Sequence, residues 1–374
     1  MRSRDSVKTT LMMCSVTTAN AINNQRPFEI LTNPQTYLNA FKYCRKESIW
    51  KASVQLFERD RLKECIALAN EVKAGTYKTH RYLEFDIYER GKPRHIKAPA
   101  IRDRVFCHAL CNQILMPRIL PTLIYDNSAA IKNRGVSFAR KRVLTHLHRY
   151  YTEHKTNEGY ILQTDFSSFF NSIDHELLYQ AFCKFVPELE IRKIIKDVID
   201  TFDTNTGIGI GSELSQVAGI MYPAPIDSYC KIVARCRYYV RYMDDIYIIH
   251  QSKDFLQDLF IKMQEIAETL KLKFNPRKCH ISKINAGFCY LKGTYKLTKA
   301  GKVLYSPCRI SLVRERRKLK RMYHLFKSGA LSLNDVKTCY KSWRGNLIRQ
   351  YPQMSKRTLA NFDNLYSKLY GELQ

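Results

Sequence analysis

The feature that most constrains the fold of this chain is a pair of adjacent acids between two strand-forming runs. Asp244 and Asp245 lie between residues 238–242 and 246–249, which are rich in Tyr, Val and Ile. Such residues favour strands, so the sequence predicts a β-hairpin over 238–250 with the acids at or near its turn. Neighbouring carboxylates repel each other, and a divalent cation relieves that repulsion. Because Asp is also common in solvated turns, an ordinary hairpin turn without a metal site remains an alternative explanation of this motif.

A third acid ends another apolar run. Residues 160–162 predict a short strand, and Asp165 closes it. If this acid faces the acidic turn, the three carboxylates can hold two metal ions about 3.5–4 Å apart, which would activate a hydroxyl and stabilise a leaving pyrophosphate. Oxygen ligands of this kind suit Mg²⁺. An isolated acid at a strand end is more often a helix cap, but pairing with Asp244 and Asp245 favours metal binding.

A glycine-rich segment lies between these acids in the sequence. Gly207, Gly209 and Gly211 alternate just before a predicted helix that begins near Ser215 and Gln216. Glycines let the backbone approach a ligand closely, and the first amides of a helix are free to bind it. The segment lacks the Gly-Lys-Ser/Thr sequence of a phosphate-binding loop, and many glycine-rich segments are simple turns.

Hydrophobic periodicity predicts an α+β fold. Strands and helices mix without regular βαβ alternation, which argues against a doubly wound sheet. Helices are predicted over about 34–75, 101–120, 136–151, 214–234 and 255–272, strands over 82–88, 160–165, 279–283 and 287–291, and basic helices over the last eighty residues. No apolar run reaches the roughly 18 residues of a membrane span, so no membrane partner is expected.

The charge of the chain predicts a polyanionic partner. Its 62 Lys and Arg against 34 Asp and Glu give a net charge of +28. Such a field attracts nucleic acid, although solubility or an anionic membrane surface are alternatives. The twelve cysteines include no Cys-x-x-Cys pair, which argues against zinc and favours free thiols in a cytoplasmic protein.

These motifs, in this order, resemble the reverse transcriptase family. Asp165 is similar to its first catalytic aspartate, and the block from Tyr242 to Asp245 is similar to its YxDD box. Gly211 to Gln216 lies where the family has a loop that contacts template and nucleotide. Further blocks at 95–105, 125–135, 272–278 and 288–293 resemble its fingers motifs, its lysine motif and its primer grip.

The resemblance implies a right-hand polymerase fold with fingers, palm and a helical thumb. The expected organisation is a poorly ordered tail at 1–30, an N-terminal helical extension at 31–76, fingers and palm at 77–293 and a basic helical thumb at 294–374.

The resemblance also implies a role for each matched residue. Asp165 and Asp244 would bind both Mg²⁺ ions, with Asp245 and the backbone carbonyl of Phe166 in support and Mn²⁺ as an alternative ion. Phe170 falls at the position whose ring excludes a ribose 2′-hydroxyl. The remaining candidates are Gly211, Gln216, Arg94, Lys97, Arg102 and Lys278 for the nucleotide, and Arg134, Tyr242, Met243, Leu291, Gly293, Arg316, Arg317 and Lys320 for nucleic acid.

The implied activity is RNA-directed DNA polymerisation, with dNTPs added to a primer on an RNA template. Ile210 before Gly211 and Gln216 after Ser215 resemble enzymes of diversity-generating retroelements and of bacterial defence. Phage defence on a dedicated structured RNA, with a noncoding RNA or an accessory protein as a further partner, is the favoured role. A mutagenic retroelement enzyme, an RNA-templated RNA polymerase and a non-catalytic RNA-binding scaffold are the alternatives.

Overall fold

The computed structural model describes residues 26–80, 82–89, 92–202, 204–352 and 354–371. They divide into two compact units. The first unit contains the described residues up to Leu123, Ser167–Pro225 and Ile266–Lys273, and the second contains Ile124–Phe166, Ile226–Glu265 and the residues from Phe274 onward. Among the described residues, no helix combines the length and hydropathy that a membrane crossing requires.

The secondary structure mixes helices and antiparallel strands. The α-helices are α1 (Pro27–Leu31), α2 (Pro34–Cys44), α3 (Ala52–Arg59), α4 (Arg61–Ala74), α5 (Ile101–Ala109), α6 (Met116–Ile119), α7 (Val136–His154), α8 (His175–Cys183), α9 (Leu189–Asp200), α10 (Glu213–Met221), α11 (Ala224–Ser228), α12 (Lys253–Thr269), α13 (Arg309–Lys327), α14 (Leu333–Gln350) and α15 (Lys356–Tyr370). The strands are β1 (Leu83–Glu89), β2 (Lys92–Ala98), β3 (Tyr160–Thr164), β4 (Tyr238–Tyr242), β5 (Asp245–His250), β6 (His280–Lys283), β7 (Phe288–Tyr290), β8 (Gly293–Leu297) and β9 (Val303–Pro307).

The first unit begins with helices whose limits follow from local sequence. Helix α2 begins at Pro34, where the side chain of Asn33 caps it by accepting a hydrogen bond from the Gln35 amide. Helix α4 ends at Gly75, which takes the left-handed conformation that glycine tolerates best, with φ +68°. Of the tail expected at 1–30, residues 1–25 lie outside the described residues, and Pro27–Leu31 forms helix α1.

The second unit is built on an antiparallel sheet with strand order β4-β5-β3-β6. Thr164 of β3 pairs with Ile246 of β5, and Tyr242 of β4 pairs with Asp245. One face of the sheet is covered by α7, which contributes buried Val143 to the core. The predicted hairpin over 238–250 is thereby confirmed, and its register sets the positions of the acids.

A second sheet corrects the prediction that everything after residue 293 is helical. Strands β7, β8 and β9 form an antiparallel sheet in that order, so two strands precede the helices. Strand β8 alternates: Gly293, Tyr295 and Leu297 are buried, while Thr294 and Lys296 are more exposed. This period of two is the signature of a strand, but it is too short to stand out beside long basic helices. Helices α13, α14 and α15 then pack around a cluster of their own.

Candidate active site

The register of the sheet brings the three predicted acids to one end of that sheet. Tyr242 and Asp245 form the last pair of the β4–β5 hairpin, so Met243 and Asp244 make a two-residue turn. Met243 has φ +54°, a left-handed conformation that costs a non-glycine residue about 1–2 kcal/mol. Asp165 directly follows the Thr164–Ile246 pair on the neighbouring strand, which places it beside Asp245.

Negatively charged side chains lie close together at this end of the sheet. Burial, together with the charges of Asp244 and Asp165, raises the pKa of Asp245 to about 7, while Lys278 acts in the opposite direction. The ammonium of Lys278 lies 2.6 Å from Oδ2 of Asp165. Burial acts to lower the pKa of Lys278, but the hydrogen bond to Asp165 and the three carboxylates together raise it. The three acids therefore share one electrostatic environment.

The carboxylate oxygens of the three acids are chemically suited to bind a divalent cation. Oδ1 of Asp165 is buried and has no hydrogen-bond partner, which is costly unless something else coordinates it. Carboxylate oxygens are the ligands that Mg²⁺ prefers. Within the described ranges, however, no three His, Cys, Asp or Glu side chains are already grouped to hold an ion. Lys278 contacts Oδ2 of Asp165, so Oδ1 is the oxygen that is open to a metal ion.

Backbone hydrogen bonds from the segment after Phe274 fix the position of Asp165. The Asn275 amide donates to the Asp165 carbonyl at 2.8 Å, and the amide of Lys278 donates to the Asn275 carbonyl at 3.0 Å. Phe166, the predicted carbonyl ligand, stacks its ring on Phe274 with centroids 4.5 Å apart. The position of Lys278 beside the acids thus follows from a local turn that is anchored to the end of β3.

A buried ion pair supports the acidic turn, and sequence reasoning missed it. Arg241 and Asp227 are 0% and 1% exposed, with Nη2 and Oδ2 2.6 Å apart. Nη1 of Arg241 also donates to the carbonyl of Met243 at 3.2 Å, so the pair holds the turn itself. The signal in the sequence was an arginine inside an otherwise apolar strand, but its partner could not be identified without the tertiary structure.

The predicted nucleic-acid contacts in the second unit also have internal contacts. Arg134 donates to the carbonyls of Tyr125 and Asn127 at 3.0 and 2.9 Å. The carbonyl of Leu291, in the turn between β7 and β8, accepts from buried Arg140. A Cβ on Gly293 would lie 2.7 Å from the Tyr305 ring, so packing alone requires glycine there.

The basic helix α13 carries the remaining predicted contacts of the second unit. Arg316, Arg317 and Lys320 are all exposed on this helix. The Arg316 guanidinium also lies over the Phe362 ring, 5.2 Å from its centroid. A role for this surface in nucleic-acid binding stays a prediction.

In the first unit the glycine-rich segment packs on strand β2. The Lys97 amide donates to the Ile210 carbonyl at 3.1 Å, and a Cβ on Gly211 would lie 2.9 Å from the Lys97 carbonyl. Gly211 has φ +132°, so its backbone conformation also disfavours a side chain. The close approach that the glycines allow is therefore an approach to β2, and Gln216 is exposed on α10.

Phe170 and the basic candidates of the first unit differ in their environments. Phe170 lies in a short 3₁₀ turn, partly buried, and its carbonyl accepts from the Ile208 amide at 2.9 Å. Arg94 is exposed on β2, and Lys97 lies 3.4 Å from a Glu84 carboxylate oxygen. Arg102, which the resemblance implies as a nucleotide contact, is ion-paired with Glu71 and mostly buried. That contact favours a structural role for Arg102.

An antiparallel sheet that carries two adjacent acids in a hairpin turn, with a third beside them, defines the palm of a template-directed polymerase. The sequence matches the family described as reverse transcriptase (RNA-dependent DNA polymerase) over residues 84–304. The chain belongs to this family. Its fold class is therefore the α+β right-hand polymerase fold.

The chain was also compared with individual proteins. No curated protein matches the sequence. Among solved structures, the chain is similar to telomerase from Candida albicans, solved in complex with a TWJ fragment of telomeric RNA, at 11% identity and a TM-score of 0.47. The match covers 81% of this chain and 61% of the telomerase chain, so it spans less than two thirds of that protein.

Proposed function

We propose that the protein extends a primer with dNTPs on an RNA template by a two-metal mechanism. The observation that carries the proposal is the convergence of Asp165, Asp244 and Asp245 at one end of the palm sheet, where Asp245 has a raised pKa and Asp165 has an orphaned oxygen. Membership of the reverse transcriptase family supports the same reaction. The chemistry of the donor set favours Mg²⁺, with Mn²⁺ as an alternative.

The mechanism assigns a task to each side chain. Asp165 and Asp244 would hold two Mg²⁺ ions, which when bound activate the primer 3′-hydroxyl and stabilise the leaving pyrophosphate. Asp245 and the Phe166 carbonyl would complete the ligand set. Lys278, protonated beside the acids, would leave Asp165 when the site is filled and offer its ammonium to the negative charge that develops on the pyrophosphate.

Primer extension on RNA and DNA templates tests this function. Asp244→Asn should lower the rate of dNTP addition by about a thousandfold, because several kcal/mol of transition-state stabilisation depend on the metal site. Asp254→Asn, at an exposed acid on α12, is the matched control and should retain activity. Full activity of Asp244→Asn would overturn the proposal. Incorporation of rNTPs with no dNTP incorporation would identify an RNA-templated RNA polymerase instead.

Phe170 is proposed as the residue that excludes ribonucleotides. A bulky ring discriminates by a clash with the 2′-hydroxyl, so Phe170→Ala should improve rNTP use relative to dNTP use by roughly tenfold to a hundredfold. Phe170→Tyr keeps the ring and should keep the discrimination. A Phe170→Ala enzyme that polymerises normally and still rejects rNTPs would show that the gate lies elsewhere.

The biological role that we propose is phage defence through copying of a dedicated structured RNA. The form of the segment around Gly211 and Gln216 supports this role, and it also supports the mutagenic enzyme of a diversity-generating retroelement. A noncoding RNA or an accessory protein would be a further partner, and the cytoplasm is the proposed location. Sequencing the nucleic acid that co-purifies with the protein separates the two roles. Full biological activity of Asp244→Asn would instead identify a non-catalytic RNA-binding scaffold.

A further inference from the structure

Two cysteine thiols are in contact on the sheet formed by β7, β8 and β9 in the second unit. Cys289 lies on β7, and Cys308 follows the end of β9, directly before helix α13. Both are free thiols, and the Cys308 thiol donates to Sγ of Cys289 at 2.6 Å. A disulfide bond is about 2.0 Å long, so a closer approach of about 0.6 Å would join the two sulfurs. The proposed polymerase reaction does not use either thiol.

The fold holds both thiols against one hydroxyl group. Cys289 pairs with Thr294 across β7 and β8, so their side chains lie on the same face of the sheet. Sγ of Cys289 is 3.3 Å from Oγ1 of Thr294, and the same hydroxyl donates to Sγ of Cys308 at 3.4 Å. The three groups form a closed ring of contacts, so the strands do not have to rearrange for the sulfurs to react.

Hydrogen bonds to the backbone fix the two cysteines in their places. The side chain of Gln163 donates to the Cys289 carbonyl at 2.7 Å. The Cys308 amide donates at 3.0 Å to the carbonyl of Lys292, which lies in the turn between β7 and β8. The hydroxyl of Tyr351 donates to the same Lys292 carbonyl at 2.9 Å. The contact between the thiols is therefore built by strands and helices on all sides of it.

The two thiols differ in their access to solvent. Of the cysteines in the part of the chain that the structure describes, Cys289 is the exposed one, whereas Cys308 is 7% exposed. Burial raises the pKa of the Cys308 thiol above its ordinary value, so this thiol keeps its proton near neutral pH. A soluble oxidant therefore meets Cys289 first. An exposed thiol beside a second cysteine is typical of reversible redox sites.

We propose that Cys289 and Cys308 form a reversible redox site that reacts with hydrogen peroxide. The Cys289 sulfur attacks the peroxide, the O–O bond breaks, one water leaves, and Cys289 becomes a sulfenic acid. The Cys308 sulfur then attacks the sulfenic sulfur, and the hydroxyl leaves with the Cys308 proton as a second water. Two thiols and one peroxide thus give one disulfide and two waters. A dithiol reductant reverses the change.

The site lies beside residues that the sequence predicts to contact nucleic acid. Leu291 and Gly293 closely follow Cys289, and α13, which carries Arg316, begins directly after Cys308. Oxidation of Cys289 beyond the sulfenic acid would place a negative charge next to bound phosphates, whereas a disulfide is neutral and reversible. The second thiol therefore protects this surface from a permanent charge. This consequence rests on the proposed function, and the formation of the disulfide does not.

Mass spectrometry after treatment with hydrogen peroxide tests the chemistry. The wild type should become lighter by two hydrogen atoms, with a cross-link between the peptides of Cys289 and Cys308, and dithiothreitol should restore both thiols. Cys308→Ser removes the second thiol, so Cys289 should instead gain two oxygen atoms and keep them in dithiothreitol. Cys339→Ser is the matched control in the same unit, at a cysteine whose sulfur contacts Lys318, and should form the disulfide like the wild type.

Thermal unfolding gives a second readout of the same bond. The oxidised wild type should melt roughly 5–10 °C above the reduced protein, because the bond closes a loop of about 20 residues in the unfolded chain. Cys289→Ser should show no such rise, and circular dichroism verifies that each variant is folded. The proposal is overturned if both thiols of the wild type stay free, or if Cys289 is over-oxidised as readily as in Cys308→Ser.

The affinity for a primer–template duplex tests the protective role separately. After peroxide treatment the wild type should keep its affinity, and that of Cys308→Ser should fall about fivefold, the effect of one new negative charge about 4 Å from a phosphate in water. If the disulfide forms and both proteins keep their affinity, the redox chemistry is supported and the protective role is overturned. Asp244→Asn should form the disulfide like the wild type, so failure of the polymerase proposal and failure of this one give different results.

Discussion

The buried pair of Arg241 and Asp227 leads to a prediction that separates stability from catalysis. Asp227→Asn would leave the Arg241 guanidinium, which is 0% exposed, without a counter-charge. Burial acts to lower the pKa of Arg241, and Asp227 outweighs it and raises the pKa, so the arginine stays charged. Breaking a buried pair in this way costs about 3–5 kcal/mol. At about 2–4 °C per kcal/mol, the melting temperature should fall by roughly 10 °C.

Replacing both partners should have a different outcome. Asp227→Leu combined with Arg241→Met fills a similar volume with apolar atoms, and such replacements of buried pairs are often neutral or stabilising by about 1–4 kcal/mol. The double variant nevertheless loses the hydrogen bond from Nη1 to the Met243 carbonyl. Its stability should therefore recover only in part, because the buried Tyr239 hydroxyl also loses Asp227 as its acceptor. The acidic turn loses its anchor, so primer extension should stay slow.

The assay compares thermal unfolding, followed by circular dichroism, with primer extension at a temperature where every variant is folded. Asp363→Asn is the matched control in the same unit, because the Arg344–Asp363 pair has side chains 38% and 30% exposed. Breaking so exposed a pair should cost at most about 1 kcal/mol. The reasoning is refuted if Asp227→Asn melts like the wild type, or if the stable double variant extends primers at the wild-type rate.

Three further predictions follow from single contacts. Lys278→Met removes the ammonium that lies 2.6 Å from the Asp165 carboxylate. In thermal-shift titrations, the Mg²⁺ concentration that stabilises the variant should therefore be up to about fivefold lower than for the wild type. Burial lowers the pKa of His146 from 6.5 to about 3, so below pH 6.5 the unfolded chain binds more protons than the folded chain. The free energy of unfolding, measured with urea, should therefore fall by about 2 kcal/mol as the pH is lowered from 6.5 to 5. Gly211→Ala should cost about 1–3 kcal/mol in the same measurement, because φ is +132° and the new Cβ would meet the backbone of β2.

Each of these changes has a matched control. Lys271→Met breaks an ion pair of the same length, to Asp174, and should leave the Mg²⁺ titration unchanged. His148→Gln, at an exposed position of α7, should keep the fall in stability, whereas His146→Gln should remove it. Gly345→Ala meets no atom within 4 Å inside α14 and should be neutral or slightly stabilising. A variant that behaves like its control would contradict the assigned contact.

Much of the fold was readable from local sequence. The strand-forming residues around Asp244 predicted the hairpin, and the apolar run before Asp165 predicted β3. The glycine at 75 predicted the end of α4, where it is found in the left-handed conformation. These predictions are confirmed because side-chain period, turn chemistry and helix capping act between residues a few positions apart.

The prediction that everything after residue 293 is helical was wrong, because distant parts of the chain decide the outcome there. Strands β8 and β9 were assigned to helices, since their alternation becomes informative only when β7 is present to pair with β8. A role for Arg102 in nucleotide binding stays a prediction, and its ion pair with Glu71 of α4 could not be read from the sequence. A charge in a sequence does not reveal its partner.

The sequence by itself determined the family and indicated the residues that we propose as catalytic: three acids, one at the end of a strand and two at a hairpin turn. Only the tertiary structure decided what surrounds them. The pairing of β3 with β5 places Asp165 beside Asp245. The turn after Phe274 places Lys278 next to Asp165. The tertiary structure also joins Arg241 of β4 to Asp227 of α11. The physical reason is that the energy of interaction between charges depends on their separation and their burial. Both are set only when the strands pair.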